Sequence, residues 1–188
     1  MKAVLTEEQG KGLLRLARQA IEEKLGIERA DPPLLDPRLA VECGTFVTLK
    51  IGGALRGCIG NLLAAGSVAE GIKRNALNAA FHDSRFSPLT QEELAEVHID
   101  ISILSPPHPL DYSDGEDLVA KLQPGKDGVI LRLGMDGATF LPQVWEQLPD
   151  PRRFLGHLCQ KAGLPATAWR DSHPVIEIYQ VQCFEEEK

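Results

Sequence analysis

The stretch "LRGCIG", residues 55–60, holds the residues whose types and spacing could most clearly do chemistry. In an extended strand Arg56 and Cys58 lie on one face, because side chains alternate in direction. A cation beside a thiol lowers the thiol pKa and raises the fraction of reactive thiolate. Cys58 is therefore a candidate nucleophile or redox thiol, and Arg56 is its candidate electrostatic support.

Two glycines in the same stretch, Gly57 and Gly60, are candidate ligand-binding positions. Glycine inside a strand often marks the close approach of a ligand or of another backbone. The alternative is that the helix following the strand packs against them.

The register of the predicted strands bears on Cys58. The segments "TFVTLKI" and "ALRGCI" flank Gly52 and Gly53, which predicts a hairpin with a two-residue loop. Such a loop pairs Leu49 with Arg56, and Val47 with Cys58, and Phe46 with Ile59. Cys58 then has apolar neighbours, and a buried free cysteine is usually inert. A structural thiol is therefore the alternative to a reactive one.

A second group of candidates lies in "AFHDSRFSP", residues 80–88, at the end of a predicted helix. Asp83 could serve as a general base, and Arg85 could bind a carboxylate or phosphate. An arginine facing apolar neighbours needs an acceptor, so we expect Asp83 to be the partner of Arg56. The alternative is that Asp83 and Arg85 hold the turn through local hydrogen bonds.

Metal binding is not indicated by the sequence. His98 and Asp100 share the polar face of the alternating segment "EVHIDISIL", but no third ligand has an obvious spacing. We interpret this pair as part of a solvated face. The cysteines are scattered and form no C-x-x-C pair, so no zinc site is predicted.

The elements around these residues predict an α+β fold. Capping boxes at Thr6 and Ser67 begin helices of about 7–25 and 67–82, and Asp150 begins a third. Hairpins, isolated strands and separated helices without a regular strand-helix alternation indicate a largely antiparallel sheet with flanking helices. The prolines of residues 31–37 predict an extended connector.

Length and charge limit the class of protein. The chain has 188 residues, with 27 acidic and 20 basic side chains and a net charge of -7. This acidic balance argues against nucleic-acid or anionic-membrane binding. We find no signal peptide or membrane-spanning stretch, and expect a cytoplasmic protein with reduced thiols.

Six motifs in this order resemble the AMMECR domain family, whose prokaryotic members are called AmmeMemoRadiSam system protein A. They are "LRGCIG", "AFHDSRFSPL", "HIDISILSPP", "GKDGVIL", "TFLPQVWEQLPD" and "FLGHLCQKAGLP". The resemblance runs from about residue 10 to 184 and implies a single AMMECR-type domain over 1–188. It also implies a larger and a smaller lobe separated by a cleft, with "LRGCIG" close to the cleft. We place the smaller lobe within about 105–145.

The resemblance further implies partners, a Memo-like protein and a radical S-adenosylmethionine protein, but no settled reaction, cofactor or catalytic residues. Our leading hypothesis is a domain that binds or modifies a small molecule or a protein together with these partners. Arg56, Cys58, Asp83 and Arg85 would then line its cleft. The alternative is a noncatalytic adaptor whose cleft binds a peptide or a protein partner.

Overall fold

The computed structural model describes residues 5–27 and 37–187. The predicted connector at 31–37 lies outside these residues, apart from Pro37, where a short 3-10 helix begins. The described chain divides into two compact units. One comprises residues up to Ser105 together with the C-terminal segment from Gln182, and the other runs from Pro106 to Val181.

The α+β class and the antiparallel sheet are confirmed. The helices are α1 (Glu7–Lys24), α2 (Val68–Phe81), α3 (Gln91–Leu94), α4 (Gly115–Lys121), α5 (Pro151–Lys161) and α6 (Ala168–Asp171). The strands are β1 (Thr45–Ile51), β2 (Ala54–Asn61), β3 (Val97–Leu104), β4 (His108–Pro109), β5 (Asp127–Leu133), β6 (Asp136–Phe140) and β7 (Val175–Glu185). Short 3-10 helices span Pro37–Ala40 and Pro142–Glu146.

The first unit is built on strands in the order β2-β1-β3-β7, of which β7 contributes its C-terminal end. Strand β1 pairs antiparallel with both β2 and β3, so β2 is an edge strand. The capping boxes of α1 and α2 form as predicted, because the hydroxyls of Thr6 and Ser67 accept hydrogen bonds from the backbone amides of Gln9 and Glu70. Both helices therefore begin where the sequence places them.

One face of this sheet is largely apolar and packs against α1 and α2, where the buried Thr45 hydrogen-bonds with Asn75 of α2. Val47, Leu49, Ile99 and Ile101 are completely buried there, together with Ile72 of α2. Since neighbouring side chains along a strand point to opposite faces, the residues between them lie on the other face. The candidate side chains for binding or catalysis on this sheet are therefore those on the other face.

The second unit has its own core, in which Trp145 and Phe154 stack with ring centroids 3.7 Å apart. Its strands are β4, β5, β6 and the first part of β7, all antiparallel. The unit runs from Pro106 to Val181 and is longer than the range of about 105–145 in which we placed the smaller lobe, which stays a prediction. Helix α5 and β7 extend it, because Leu155, Leu158 and Ile176 belong to its core.

None of the helices in the described parts of the chain has the length and apolar character needed to cross a membrane.

Candidate functional site

A β-bulge changes the surroundings of Cys58. The hairpin turns at Gly52 and Gly53, both with positive φ, and pairs Ile51 with Ala54 as predicted. Beyond Lys50 and Leu55 the register shifts by one residue. The predicted pairs Leu49–Arg56, Val47–Cys58 and Phe46–Ile59 are therefore wrong, since the partners of these three β1 residues are Gly57, Ile59 and Gly60.

The bulge places Cys58 opposite Thr48. The hydroxyl of Thr48 donates a hydrogen bond to Cys58 Sγ over 3.3 Å. The thiol is half-buried, and its cross-strand partner is the polar Thr48 instead of the predicted Val47. Because the Cys58 side chain is only half-buried, its sulfur stays a candidate for contact with a ligand.

Arg56 is bound to Glu93, and the expected pairing with Asp83 is wrong. Its Nε and Nη2 donate to the two Glu93 carboxylate oxygens over 2.9 and 3.0 Å, and Nη2 also donates to the Ser87 carbonyl. Its side chain is only 11% exposed. Arg56, followed by the backbone amide of Thr90, lowers the pKa of Glu93. The bidentate pair joins the bulge to the start of α3.

Asp83 is instead the acceptor for the exposed edge of β2. Its Oδ2 accepts the Cys58 amide over 2.9 Å, and its Oδ1 accepts the Arg85 amide over 3.2 Å. The Arg85 guanidinium donates to both oxygens, at 2.9 and 2.6 Å. Arg85, and next the Cys58 amide, hold the pKa of Asp83 well below its usual range. A carboxylate with so low a pKa is a poor proton acceptor, which argues against a general-base role.

Arg85 completes this arrangement by donating from Nη2 to the Cys58 carbonyl over 3.3 Å. Asp83 thus binds the amide and Arg85 the carbonyl of Cys58, the two backbone groups that point away from β1. We call this contact the edge clamp: Asp83, Arg85 and the Cys58 peptide. The clamp protects an edge strand from pairing with another chain. Asp83 and Arg85 also form the local hydrogen bonds that were the alternative to a role in ligand binding.

The two glycines have packing partners within the protein. A β-carbon at Gly57 would overlap the carbonyl oxygen of Ala79 in α2, and one at Gly60 would overlap the Phe46 ring. The close approach at Gly57 is therefore that of the following helix. Space beside both α-carbons is already filled by the chain itself.

The face of the sheet that carries Cys58 also carries Phe46 and Leu55, but several of its side chains are polar. Thr48 pairs with Cys58 on one side and Asp100 on the other, and Lys50 pairs with His98. Residues that pair directly lie on the same face. We call this set the polar face: Thr48, Lys50, Cys58, His98 and Asp100.

Sequence reasoning missed one contributor to this region, Glu185 of β7. Ligand atoms of His98, Asp100 and Glu185 all lie within 4.8 Å of one another, which is the spacing of groups that could hold a metal ion. Lys50 forms an ion pair with Asp100. Glu185 comes from an acidic tail distant in sequence, so only the pairing of β7 beside β3 reveals it.

Comparison with known proteins agrees with this architecture. The model of the AMMECR1 family matches residues 14–184. The chain belongs to this family. It is 38% identical to a protein of Thermofilum pendens, covering 97% of this chain and 92% of the relative. Protein MK0488 of Methanopyrus kandleri is 39% identical, with coverages of 98% and 91%.

A solved structure supports the fold of the AMMECR1-family chain. The crystal structure of uncharacterized protein PH0010 from Pyrococcus horikoshii superposes with a TM-score of 0.83 at 35% identity. The match covers 97% of this chain and 94% of that protein. The resemblance inferred from the six motifs is confirmed.

Proposed function

We propose that this chain binds a small molecule or a protein segment on its polar face, with Cys58 as the thiol that contacts it. One observation carries the proposal: among the candidate side chains, only that of Cys58 is not used to hold the fold. Arg56 is bound by Glu93, while Asp83 and Arg85 bind each other and the β2 edge. Among the residues that the structure describes, the Cys58 side chain hydrogen-bonds with Thr48 alone, and it is half-buried.

The division of roles within "LRGCIG" and "AFHDSRFSP" follows from these contacts. Asp83 and Arg85 bind the Cys58 backbone, and Arg56 joins the neighbouring bulge to Glu93. They act as positioning residues, and the role of base or ligand clamp is not assigned to them. Cys58 would then be the nucleophile or redox thiol for any covalent step.

The cellular setting that we propose is a system with a Memo-like protein and a radical S-adenosylmethionine protein. This proposal is supported by two facts: the chain belongs to the AMMECR1 family, and its motifs resemble those of the prokaryotic AmmeMemoRadiSam members. The substrate would then be one that these proteins supply or consume.

The thiol can be tested by native alkylation with iodoacetamide, with peptide mass spectrometry to follow all four cysteines. Burial raises the pKa of Cys43 to about 11, and it also raises the pKa of Cys159, so both should react slowly. We expect Cys58 to be modified faster than both. A Cys58 no faster than fully buried Cys159 would overturn its proposed role.

A noncatalytic adaptor is the second candidate, and the filled space beside Gly57 and Gly60 favours it. An adaptor would use the polar face only for contact. Binding of a purified Memo-like protein, measured by calorimetry, should then survive Cys58→Ala and weaken in Lys50→Glu. Loss of binding in Cys58→Ala alone would count against the adaptor.

A further inference from the structure

The residues His98, Asp100 and Glu185 converge from two neighbouring strands. His98 and Asp100 are two apart in β3 and share its polar face, and Glu185 lies near the end of β7. One ligand atom from each lies within 4.8 Å of the others. We propose that these three side chains bind a divalent first-row transition-metal ion.

The state of Asp100 is the second observation that points to a cation. Its side chain is 14% exposed, and its Oδ1 is buried without a hydrogen-bond donor among the described residues. A buried carboxylate oxygen without a partner is costly. Oδ1 lies 3.5 Å from His98 Nε2, close to the separation of two ligands on one ion with bonds of about 2.0 to 2.2 Å. A metal ion between them would supply the missing partner.

The site is reachable from solvent. A cavity of about 750 Å³ in the first unit is lined by His98 and Glu185, with Lys50 and Glu96 also on its wall. Glu185 is exposed, and no hydrogen bond or ion pair of its side chain is found within residues 5–27 and 37–187. Three protein ligands beside an open cavity leave coordination positions for water or a small molecule.

The donor set selects the class of ion. One imidazole and two carboxylates suit Mn²⁺, Fe²⁺ or Zn²⁺, whereas Ca²⁺ and Mg²⁺ prefer oxygen ligands alone. No thiol belongs to the cluster. Mn²⁺ is therefore the best probe, because cysteine thiolates elsewhere in the chain prefer softer metals.

Lys50 gives the proposal a distinctive consequence. Its ammonium pairs with Asp100, so it neutralises part of the charge that a metal ion would meet. Replacing it by an uncharged side chain of similar length removes a competing cation. Lys50→Met should therefore bind Mn²⁺ more tightly than the wild type. If Asp100 served only to pair with Lys50, the substitution would not increase the Mn²⁺ affinity.

The experiment titrates the full chain, first treated with chelator, with Mn²⁺ and follows the electron paramagnetic resonance signal of the free ion. We expect one bound ion per chain. Glu185→Gln and His98→Gln should each weaken binding at least about ten-fold, since even a residue that only orients a ligand has effects of this size. Glu96→Gln is the matched control, because Glu96 lines the same cavity outside the cluster. Glu96→Gln should change the Mn²⁺ affinity less than about two-fold, because solvent and salt screen a charge that does not bind the ion.

Several results would overturn the site. They are the absence of Mn²⁺ binding at millimolar concentration, an equal loss in Glu96→Gln and Glu185→Gln, or an unchanged affinity in Lys50→Met. The thermal midpoint of each variant, measured with and without Mn²⁺, gives a second readout, because an ion that binds only the folded chain raises it. A rise in the wild type that is absent in Glu185→Gln supports the site, and equal rises contradict it. The inference is independent of Cys58, so its failure leaves the alkylation test unaffected.

Discussion

The outer edge of β2 and the polar face of the same sheet differ in how completely the carboxylates of Asp83 and Asp100 are paired. At the edge, Asp83 accepts four hydrogen bonds from the described residues and Arg56 donates three to them, although Arg56 Nη1 is buried without an acceptor there. On the polar face, within residues 5–27 and 37–187, Asp100 keeps a buried oxygen without a donor and the Cys58 side chain has one hydrogen bond. Both regions are rich in the residue types that do chemistry.

The difference separates two uses of the same side chains. Groups whose hydrogen-bonding capacity is filled by the chain hold the structure, and groups with spare capacity can meet a ligand. Residue type alone would assign Asp83 and Arg56 to catalysis. Their partners assign them to the edge of the sheet.

The largest expected effect comes from removing the carboxylate of the edge clamp. Asp83→Ala leaves the Cys58 amide without its acceptor and should cost about 2 to 3 kcal/mol in the free energy of unfolding. Urea denaturation measures this change. Asp171→Ala is the control, because Asp171 also pairs with an arginine but is 53% exposed. A similar loss in both variants would mean that the clamp has no special role.

Gly57→Ala tests the contact between β2 and α2. The new β-carbon would meet the backbone carbonyl of Ala79, which cannot move without shifting the helix, so we expect a loss of about 2 kcal/mol. Gly12→Ala is the matched control, since a β-carbon at Gly12 has nothing within 4 Å. In helix α1 it should be neutral or stabilising. Equal stability of the two variants would contradict tight packing at Gly57.

Acidification should weaken the clamp and the Arg56–Glu93 pair together. The folded pKa values of Asp83 and Glu93 are lowered below the ordinary 3.8 and 4.5 by their arginine partners. The unfolded chain therefore binds more protons in this range, so their stabilisation is present above about pH 4.5 and is lost as the pH falls. Urea unfolding from pH 7 to pH 3 should show this decline. It should be shallower in Asp83→Asn, and an identical slope would show that Asp83 does not contribute.

The smallest structural effect is expected for Cys58→Ala. The substitution removes one weak hydrogen bond from Thr48 and a half-buried sulfur, so it should cost less than about 1 kcal/mol. Urea denaturation beside Asp83→Ala gives the comparison. A loss as large as that of Asp83→Ala would make Cys58 a structural residue and would remove the distinction between edge and face.

Much of the fold could be predicted because its signals are local. The capping boxes at Thr6 and Ser67 and the alternation of Val97–Leu104 determine their elements within a few residues. The exact pairing of β2 could not be predicted. The bulge lies at Arg56, whose guanidinium binds Glu93 37 positions away, and a local sequence pattern shows neither feature.

The candidate site shows the same limit. The sequence predicted that Cys58, Asp83 and Arg85 line one cleft; the structure shows that the three residues are in contact, and their role in a site stays a prediction. It could not tell which of them had spare hydrogen-bonding capacity. Glu185 was missed because its proximity to Asp100 depends on the pairing of a C-terminal strand.

The most direct test of the difference between edge and face is amide hydrogen exchange at Cys58, resolved by NMR at neutral pH. If Asp83 is a structural acceptor, the Cys58 amide is protected in the wild type. It should exchange at least about ten-fold faster in Asp83→Ala, since the amide then faces solvent. Equal exchange rates in the two proteins would contradict the edge clamp and return Asp83 to the candidates for catalysis.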